Sequence, residues 1–179
     1  MARTTFELQP VLESVVESAI RLCQADQGFI FRLEGGRYHL AADFCAPPAF
    51  REFQLRNPIP PDRGSLAGRV ALERRPIHIP DVLADPEYRW RESIRLGGFR
   101  SMLVVPILRD DKATGVFVLW RAEVRPFDDR QIELVIEFAD QAGLAIENAQ
   151  LIAELRESLA GQTATREILQ VIGASPSSR

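Results

Sequence analysis

Residues 128–159 constrain the fold more than any other stretch, because they carry two apolar stripes where a docked helix needs one. Ile132, Val135, Ala139, Ala142, Ile146, Ala149 and Ala153 recur at steps of three and four residues. Leu134, Phe138, Ala145, Ile152, Leu155 and Leu159 form a second series, rotated around the same helix and interrupted by Gln141 and Asn148. Such steps place each series on one face of an α-helix. One face seats a helix on its own domain. A second face needs another surface, either a further part of the same domain or a helix of a second copy. The expectation is helix–helix pairing between protomers.

A first helix is expected over 6–25. Leu8, Leu12, Val15, Ala19 and Leu22 make one stripe, Val16, Ile20 and Cys23 begin another, and Asp26-Gln27-Gly28 ends it. The β-rich run Phe29-Ile30-Phe31-Arg32-Leu33, the Gly35-Gly36 turn and the alternating Tyr38, Leu40, Ala42 and Phe44 predict a hairpin. Three prolines in 57–61 exclude regular structure there. Ser65 is placed to cap a helix running to about Arg74, and Ile77-His78-Ile79 is a short strand. Short helices are expected between 82 and 100. A second hairpin then pairs 101–108 with 115–121 across a loop over 109–114, with a bulge or local loss of pairing at Pro106. The apolar pattern lapses at 160–165 and resumes at Ile168, Leu169, Val171 and Ile172 before a Ser/Pro tail. This predicts a domain over 1–159 and a linker over 160–179 that bends or frays near its start. The order is α+β, with a mostly antiparallel sheet and helices packed on a face.

Composition narrows the function classes. The formal charge of −3 includes no basic block that would follow nucleic-acid phosphates, so nucleic acid is not an expected partner. No apolar run reaches bilayer length, and Met1 to Thr5 leads into an amphipathic helix without a signal-peptide core. Two cysteines, Cys23 and Cys45, match neither a disulfide framework nor a zinc site. A cytoplasmic protein without a metal or cofactor is expected.

Several blocks in this order resemble a GAF domain. They are Leu8-Gln9-Pro10-Val11-Leu12, Gly64-Ser65-Leu66-Ala67-Gly68-Arg69-Val70, Ile77-His78-Ile79-Pro80-Asp81-Val82, Gly98-Phe99-Arg100-Ser101-Met102-Leu103-Val104-Val105-Pro106, and Gly115-Val116 through Phe127-Asp128-Asp129-Arg130-Gln131. The likeness is nearest to tandem GAF modules ahead of bacterial histidine kinases or nucleotide cyclases. It implies a five- to six-stranded antiparallel sheet, with the first and last helices on one face and short helices and loops roofing the other. It also implies homodimerisation through the terminal helices, for which Leu12, Val16, Ala19, Ile132, Ala139, Ile146 and Ala149 are the candidate interface. A downstream effector domain in the same chain is the implied receiver.

The resemblance places a small-molecule cavity beneath residues 44–100. Phe44, Ser65, Arg69, Tyr88, Trp90, Arg91 and Met102 are the candidate ligand-binding residues. A helix starting at Ser65 offers free N–H groups to a carboxylate or phosphate, the arginines offer charge, and the aromatics could cover a planar ligand. Against that stands the plain alternative that Ser65 only caps its helix, the arginines are solvated and the aromatics plug the roof. The Asn-Lys signature of cyclic-nucleotide-binding members is missing, and no cysteine lies where bilin-binding members attach the chromophore. His39 and His78 lie on strands, and the two cysteines do not cluster as in members that reduce free methionine sulfoxide. A non-catalytic sensory domain is the expected function. A purely structural dimerisation module and a small reductase are the alternatives.

Overall fold

The computed structural model describes residues 2–174, with side chains from Leu8 onward. The Ser/Pro tail after 174 lies outside the described residues. In chain order the elements are α1 (Ala2–Cys23), β1 (Gln27–Glu34), β2 (Arg37–Phe44), α2 (Pro48–Arg56), α3 (Leu66–Glu73), β3 (Ile77–Ile79), a 3-10 turn (Val82–Ala84), α4 (Arg91–Gly97), β4 (Ser101–Arg109), β5 (Lys112–Arg121) and α5 (Asp129–Gly173). The five strands form one sheet in the order β2-β1-β5-β4-β3, antiparallel at every pairing.

Both hairpins close on two-residue turns. Gly35 and Gly36 have φ of +57° and +78°, the left-handed backbone that matches strand twist and that glycine adopts without strain. The β4–β5 loop is shorter than expected, because Asp110 and Asp111 also take positive φ, 49° and 59°. Pro106 stays paired with Val116, and the irregularity falls after Ile107, where Thr114 is left over and its hydroxyl donates to the Ile107 carbonyl at 3.2 Å. β3 pairs only as far as Val104, so Pro106 sits where β4 has a neighbour on one side alone.

Strand alternation divides the interior into two cores. On one face α1 and α5 pack over Ile30, Leu103, Val105, Ile107, Phe117 and Leu119. On the other, α2, α3 and the segment before β4 cover Phe29, Phe31, Met102, Val104, Val118 and Trp120.

Two expectations about the helices are corrected. Leu12, Val16, Ala19, Ala139 and Ile146 are buried in the protomer's own core, and Ile132 and Ala149 pack against it half-buried. The first stripe is therefore the domain-facing one, since both helices must cover an apolar sheet face before any partner arrives. These residues are not a free dimer surface. The second correction concerns the end of the last helix. α5 does not break at 160–165 but runs to Gly173. Thr163 and Thr165 donate their hydroxyls to the carbonyls of Leu159 and Gly161, four residues back, at 3.0 and 2.9 Å, so both are accommodated inside the helix. A capping box starts it: the Asp128 side chain accepts from the Gln131 amide at 2.8 Å and the Gln131 side chain from the Asp128 amide at 3.0 Å. Every residue from Glu154 to Gly173 is exposed, roughly 30 Å of bare helix at 1.5 Å per residue.

Candidate functional site

The roofed face of the sheet contains a small cavity. Phe31, Met102, Val104, Val118 and Trp120 form its floor, Phe50 and Gln54 of α2 one wall, and Ile59, Ser65 and Ala67 another. Tyr88, Trp90, Ser93 and Phe99 close the top. The space that the centre of a water-sized sphere can occupy is about 30 Å³, room for a water or two. Most of the compartment is filled by aromatic rings. The Trp120 ring lies 4.4 Å from Phe29, 4.7 Å from Phe99 and 4.9 Å from Phe50, centroid to centroid.

Four of the seven expected ligand residues line this cavity: Ser65, Tyr88, Trp90 and Met102. Phe44 does not. It packs against the helix-side core, because β2 has a bulge. Phe31 pairs with Leu40 and Ile30 with Ala42, leaving Ala41 over, so the residues after the bulge change faces. Tyr38 and Leu40 face the roof side, while Ala42 and Phe44 face the helices. Arg69 and Arg91 are also corrected. Arg91 is exposed and outside the lining. Arg69 is buried, but its guanidinium is bound to Asp85 and, at 3.4 Å, to Glu87.

Arg69 is thus a strap that holds the 85–90 segment on α3. Arg63 reinforces it, bonded to Glu87 at 2.7 Å and Glu73 at 3.2 Å. Burial pushes the Asp85 carboxyl up, but hydrogen bonds from Arg69 and the Glu87 amide, with the Arg69 charge, more than offset this and hold it below its ordinary value. The N-terminus of α3 is closed as well. Ser65 accepts from the Gly68 amide at 3.0 Å. A side chain at Gly68 would begin 2.3 Å from the Asp62 carbonyl oxygen and 2.7 Å from that of Pro60, so only glycine lets the 60–62 connector lie against the helix.

Sequence reasoning missed Phe31, Phe50, Gln54, Ile59, Phe99 and Trp120 as cavity residues. Phe50 and Gln54 are four apart on α2 and both are buried; the four-residue step from Phe50 puts Gln54 on the same helix face, and that step is the one signal the sequence carries for it. Gln54 is 4% exposed and its Oε1 is buried with no hydrogen-bond partner. Tyr88 is also buried. Its hydroxyl shares a 3.1 Å bond with Ser93, and burial pushes its pKa up to about 12.

The other face of the same strands holds a second polar cluster, around Arg121. Its side chain is 1% exposed and donates to the carbonyls of Cys23 (2.5 Å) and Gln24 (3.1 Å) at the end of α1. It also donates to the carbonyls of Arg125 (2.6 Å) and Pro126 (2.8 Å) and to Gln131 Oε1 (3.3 Å) at the entry to α5. Its guanidinium carbon lies 4.0 Å from the centroid of Phe127. Nearby, His78 Nε2 accepts from the Phe127 amide at 3.1 Å, and Ser101 accepts from the Arg125 amide at 2.9 Å. Burial, with the Arg121 charge, pushes the His78 pKa down, in keeping with a neutral acceptor. Cys23 belongs to this side too; burial pushes its thiol up to about 11. Cys45 is exposed, so the cysteines do not meet at the cavity.

Comparison with known proteins defines the class. The sequence profile of the GAF domain family matches residues 7–147, and the chain belongs to that family of sensory and regulatory domains. A dual 3',5'-cyclic-AMP and -GMP phosphodiesterase 11A from Takifugu rubripes is 33% identical over 109 residues, which is 59% of this chain and 12% of that protein. The chain therefore spans a small part of this relative. Among solved structures, the GAF domain of a phosphoenolpyruvate-protein phosphotransferase from Coxiella burnetii superposes with a TM-score of 0.72 at 21% identity, over 82% of this chain and 86% of that one. The blue-light-absorbing form of the Thermosynechococcus elongatus PixJ GAF domain gives 0.70 at 21% identity, over 90% and 97%. Among the described residues no helix is long and apolar enough to cross a membrane.

Proposed function

We propose that this GAF domain is a non-catalytic sensor of a cytoplasmic signalling protein. A small molecule in the roofed cavity biases the packing of α1 and α5 in a homodimer, and the output leaves along α5 to an effector domain such as a histidine kinase or cyclase. The observation that carries this reading is a pair of cross-strand neighbours. Met102 pairs with Trp120 and Ser101 with Arg121. Met102 and Trp120 line the cavity; their chain neighbours Ser101 and Arg121 hold the entry to α5 on the opposite face. A displacement of Trp120 is passed to Arg121 by one peptide unit, because successive strand residues point to opposite faces.

Dimerisation is supported by what α5 leaves uncovered. Leu144, Leu151, Leu155, Leu169 and Ile172 are all more than half exposed. With Asn148, Ser158, Gln162 and Thr165 they follow alternating steps of four and three, the spacing of a coiled-coil seam. A monomer would leave this seam in water. The relay is tested by hydrogen exchange on Trp120→Phe, which slackens the cavity floor on the face away from α1 and α5. Amides over 123–131 should exchange faster than in the wild type. Loosening confined to 50–99 would refute transmission through β5.

A further inference from the structure

We propose that the cavity takes an uncharged, planar, indole-sized ring bearing one hydrogen-bond donor for Gln54, and that the ring enters by displacing the Trp90 side chain. This rests on the ligand-sensing reading above and specifies its chemistry. Among the described residues no charged side chain lines the cavity. Arg69, Arg63 and Arg100 lie outside the lining; the terminal nitrogens of Arg69 are bound to Asp85 and Glu87, Arg63 to Glu87 and Glu73, and Arg100 to Asp81 at 2.7 Å. The start of α3, which the sequence offered as an anion seat, is closed by Ser65 and by the carbonyls of Pro60 and Asp62. An anion or cation placed there would be stripped of water with nothing to pair it. Cyclic nucleotides and carboxylates are excluded on this ground.

What the walls offer instead is aromatic surface and one unmet polar group. Phe31, Phe50, Phe99 and Trp120 present apolar rings suited to stacked or edge-on contact with another ring. Gln54 is buried, lines the same space, and keeps an oxygen without a donor. A buried acceptor in that state favours a ligand that brings an N–H or O–H.

Size identifies the gate. A benzene ring occupies cavities of about 150 Å³, and this one offers about 30 Å³. Among the aromatic residues that line it, Trp90 is the one that is not buried. Its ring contact is edge-on to Phe53, 6.1 Å away and itself half-buried. Its backbone is fixed as the residue that caps α4, with its carbonyl accepting from the Ser93 hydroxyl at 2.7 Å and the Ile94 amide at 3.3 Å. Rotation of the side chain alone therefore opens the roof and vacates a slab of indole shape while α4 stays in place.

The test is calorimetric titration of the 179-residue chain with indole, benzofuran and indole-3-carboxylate. These share a bicyclic frame and differ in donor and charge. Indole should bind about ten-fold more tightly than benzofuran, and the carboxylate should not bind. Gln54→Leu should abolish the preference for indole over benzofuran, with Gln54→Met as the second variant if the first does not fold. Trp90→Ala should bind indole more tightly than the wild type, by removing the plug. Equal binding of the carboxylate, a preference that survives both Gln54 variants, or no binding of any probe to either the wild type or Trp90→Ala overturns the proposal. In the last case the cavity holds water only. The exchange experiment on Trp120→Phe uses no ligand. Binding of indole with unchanged exchange over 123–131 would refute the relay and leave the ligand class standing, and the converse result would do the reverse.

Discussion

Arg121 should be the polar residue whose loss costs the fold most, and the cost can be worked from its partners. In Arg121→Met, three of its five acceptors keep another donor. Cys23 O still accepts from Gln131 Nε2 at 3.1 Å, and Gln24 O from the Arg125 side chain at 3.0 Å. Gln131 Oε1 keeps the Asp128 amide. The carbonyls of Arg125 and Pro126 lose the Arg121 bonds that satisfy them. A stranded buried acceptor costs about 1–3 kcal/mol; both are part-buried, so about 3 kcal/mol for the two is reasonable. Loss of the cation over Phe127 adds about 1 kcal/mol. Arg121 makes no ion pair among the described residues, so removing an unpaired buried cation returns about 1 kcal/mol. The net expectation is a loss of about 3 kcal/mol. Urea titration followed by far-UV circular dichroism measures it, with an unchanged slope confirming that the same surface unfolds. Arg121→Lys should lose somewhat less than Arg121→Met, since its ammonium can still serve one side of the junction. It should not recover the wild type, because it cannot span acceptors on both sides. A loss below about 1 kcal/mol for Arg121→Met would show that the 125–126 carbonyls find water, and the junction would not be held by this side chain.

The remaining predictions concern His78, Gly68 and the seam on α5. Because the folded His78 pKa is depressed, the unfolded chain takes up a proton first as pH falls below the ordinary value of 6.5. Stability is therefore fully present above about pH 7 and declines from there down to the folded pKa. His78→Gln should flatten that part of the urea-midpoint profile, and equal slopes for the two proteins would refute the buried-acceptor role. Gly68→Ala would ordinarily gain about 1 kcal/mol of helix propensity. Here the methyl meets two backbone carbonyls and should cost about 3 kcal/mol instead; a raised melting temperature would show that the 60–62 connector can give way. For the dimer, Leu151→Glu with Leu155→Glu should give a folded monomer by sedimentation velocity, whereas Ile146→Glu should unfold the domain. An unchanged mass for the double variant would remove the seam as the dimer contact.

Much of the fold was legible because it is written in local rules. Two hairpins, the Ser65 cap, the Asp128 start and the order of helices and strands follow from alternation, turn residues and caps. The cavity was legible only in part. Tyr88 and Trp90 stand in a stretch without long periodic structure, where aromatics have few reasons to be present except to close something, while Met102 is placed by the strand that carries it. Phe44 was misplaced because one extra residue, Ala41, reverses the facing of everything after it, and Ile30 and Phe31 do not announce which partner will be skipped. Arg69 was misread for a different reason. Its carboxylate partners lie sixteen and eighteen residues away on a segment with no regular structure, and charge pairing across such a segment leaves no periodic trace.

The two stripes of α5 illustrate how far periodicity goes. Their existence says that two surfaces are covered, and it says nothing about which stripe takes which surface. The sheet decides that. Val135, Ala139, Ala142 and Ile146 are the small and branched side chains that let a helix lie close on β4 and β5 and beside α1, and Gly143 brings it closer still, with Ile107 3.0 Å from where a side chain would begin. Of the second stripe, Leu134, Phe138 and Ala145 pack at the edge of the same core, and the leucines that face away are Leu144, Leu151 and Leu155. Leu144 lies next to Gly143 on the outer side, so the outward seam begins while the inner stripe is still in contact. A change in how α5 seats on the sheet must therefore rotate the first leucine of that seam, before the helix has left the domain.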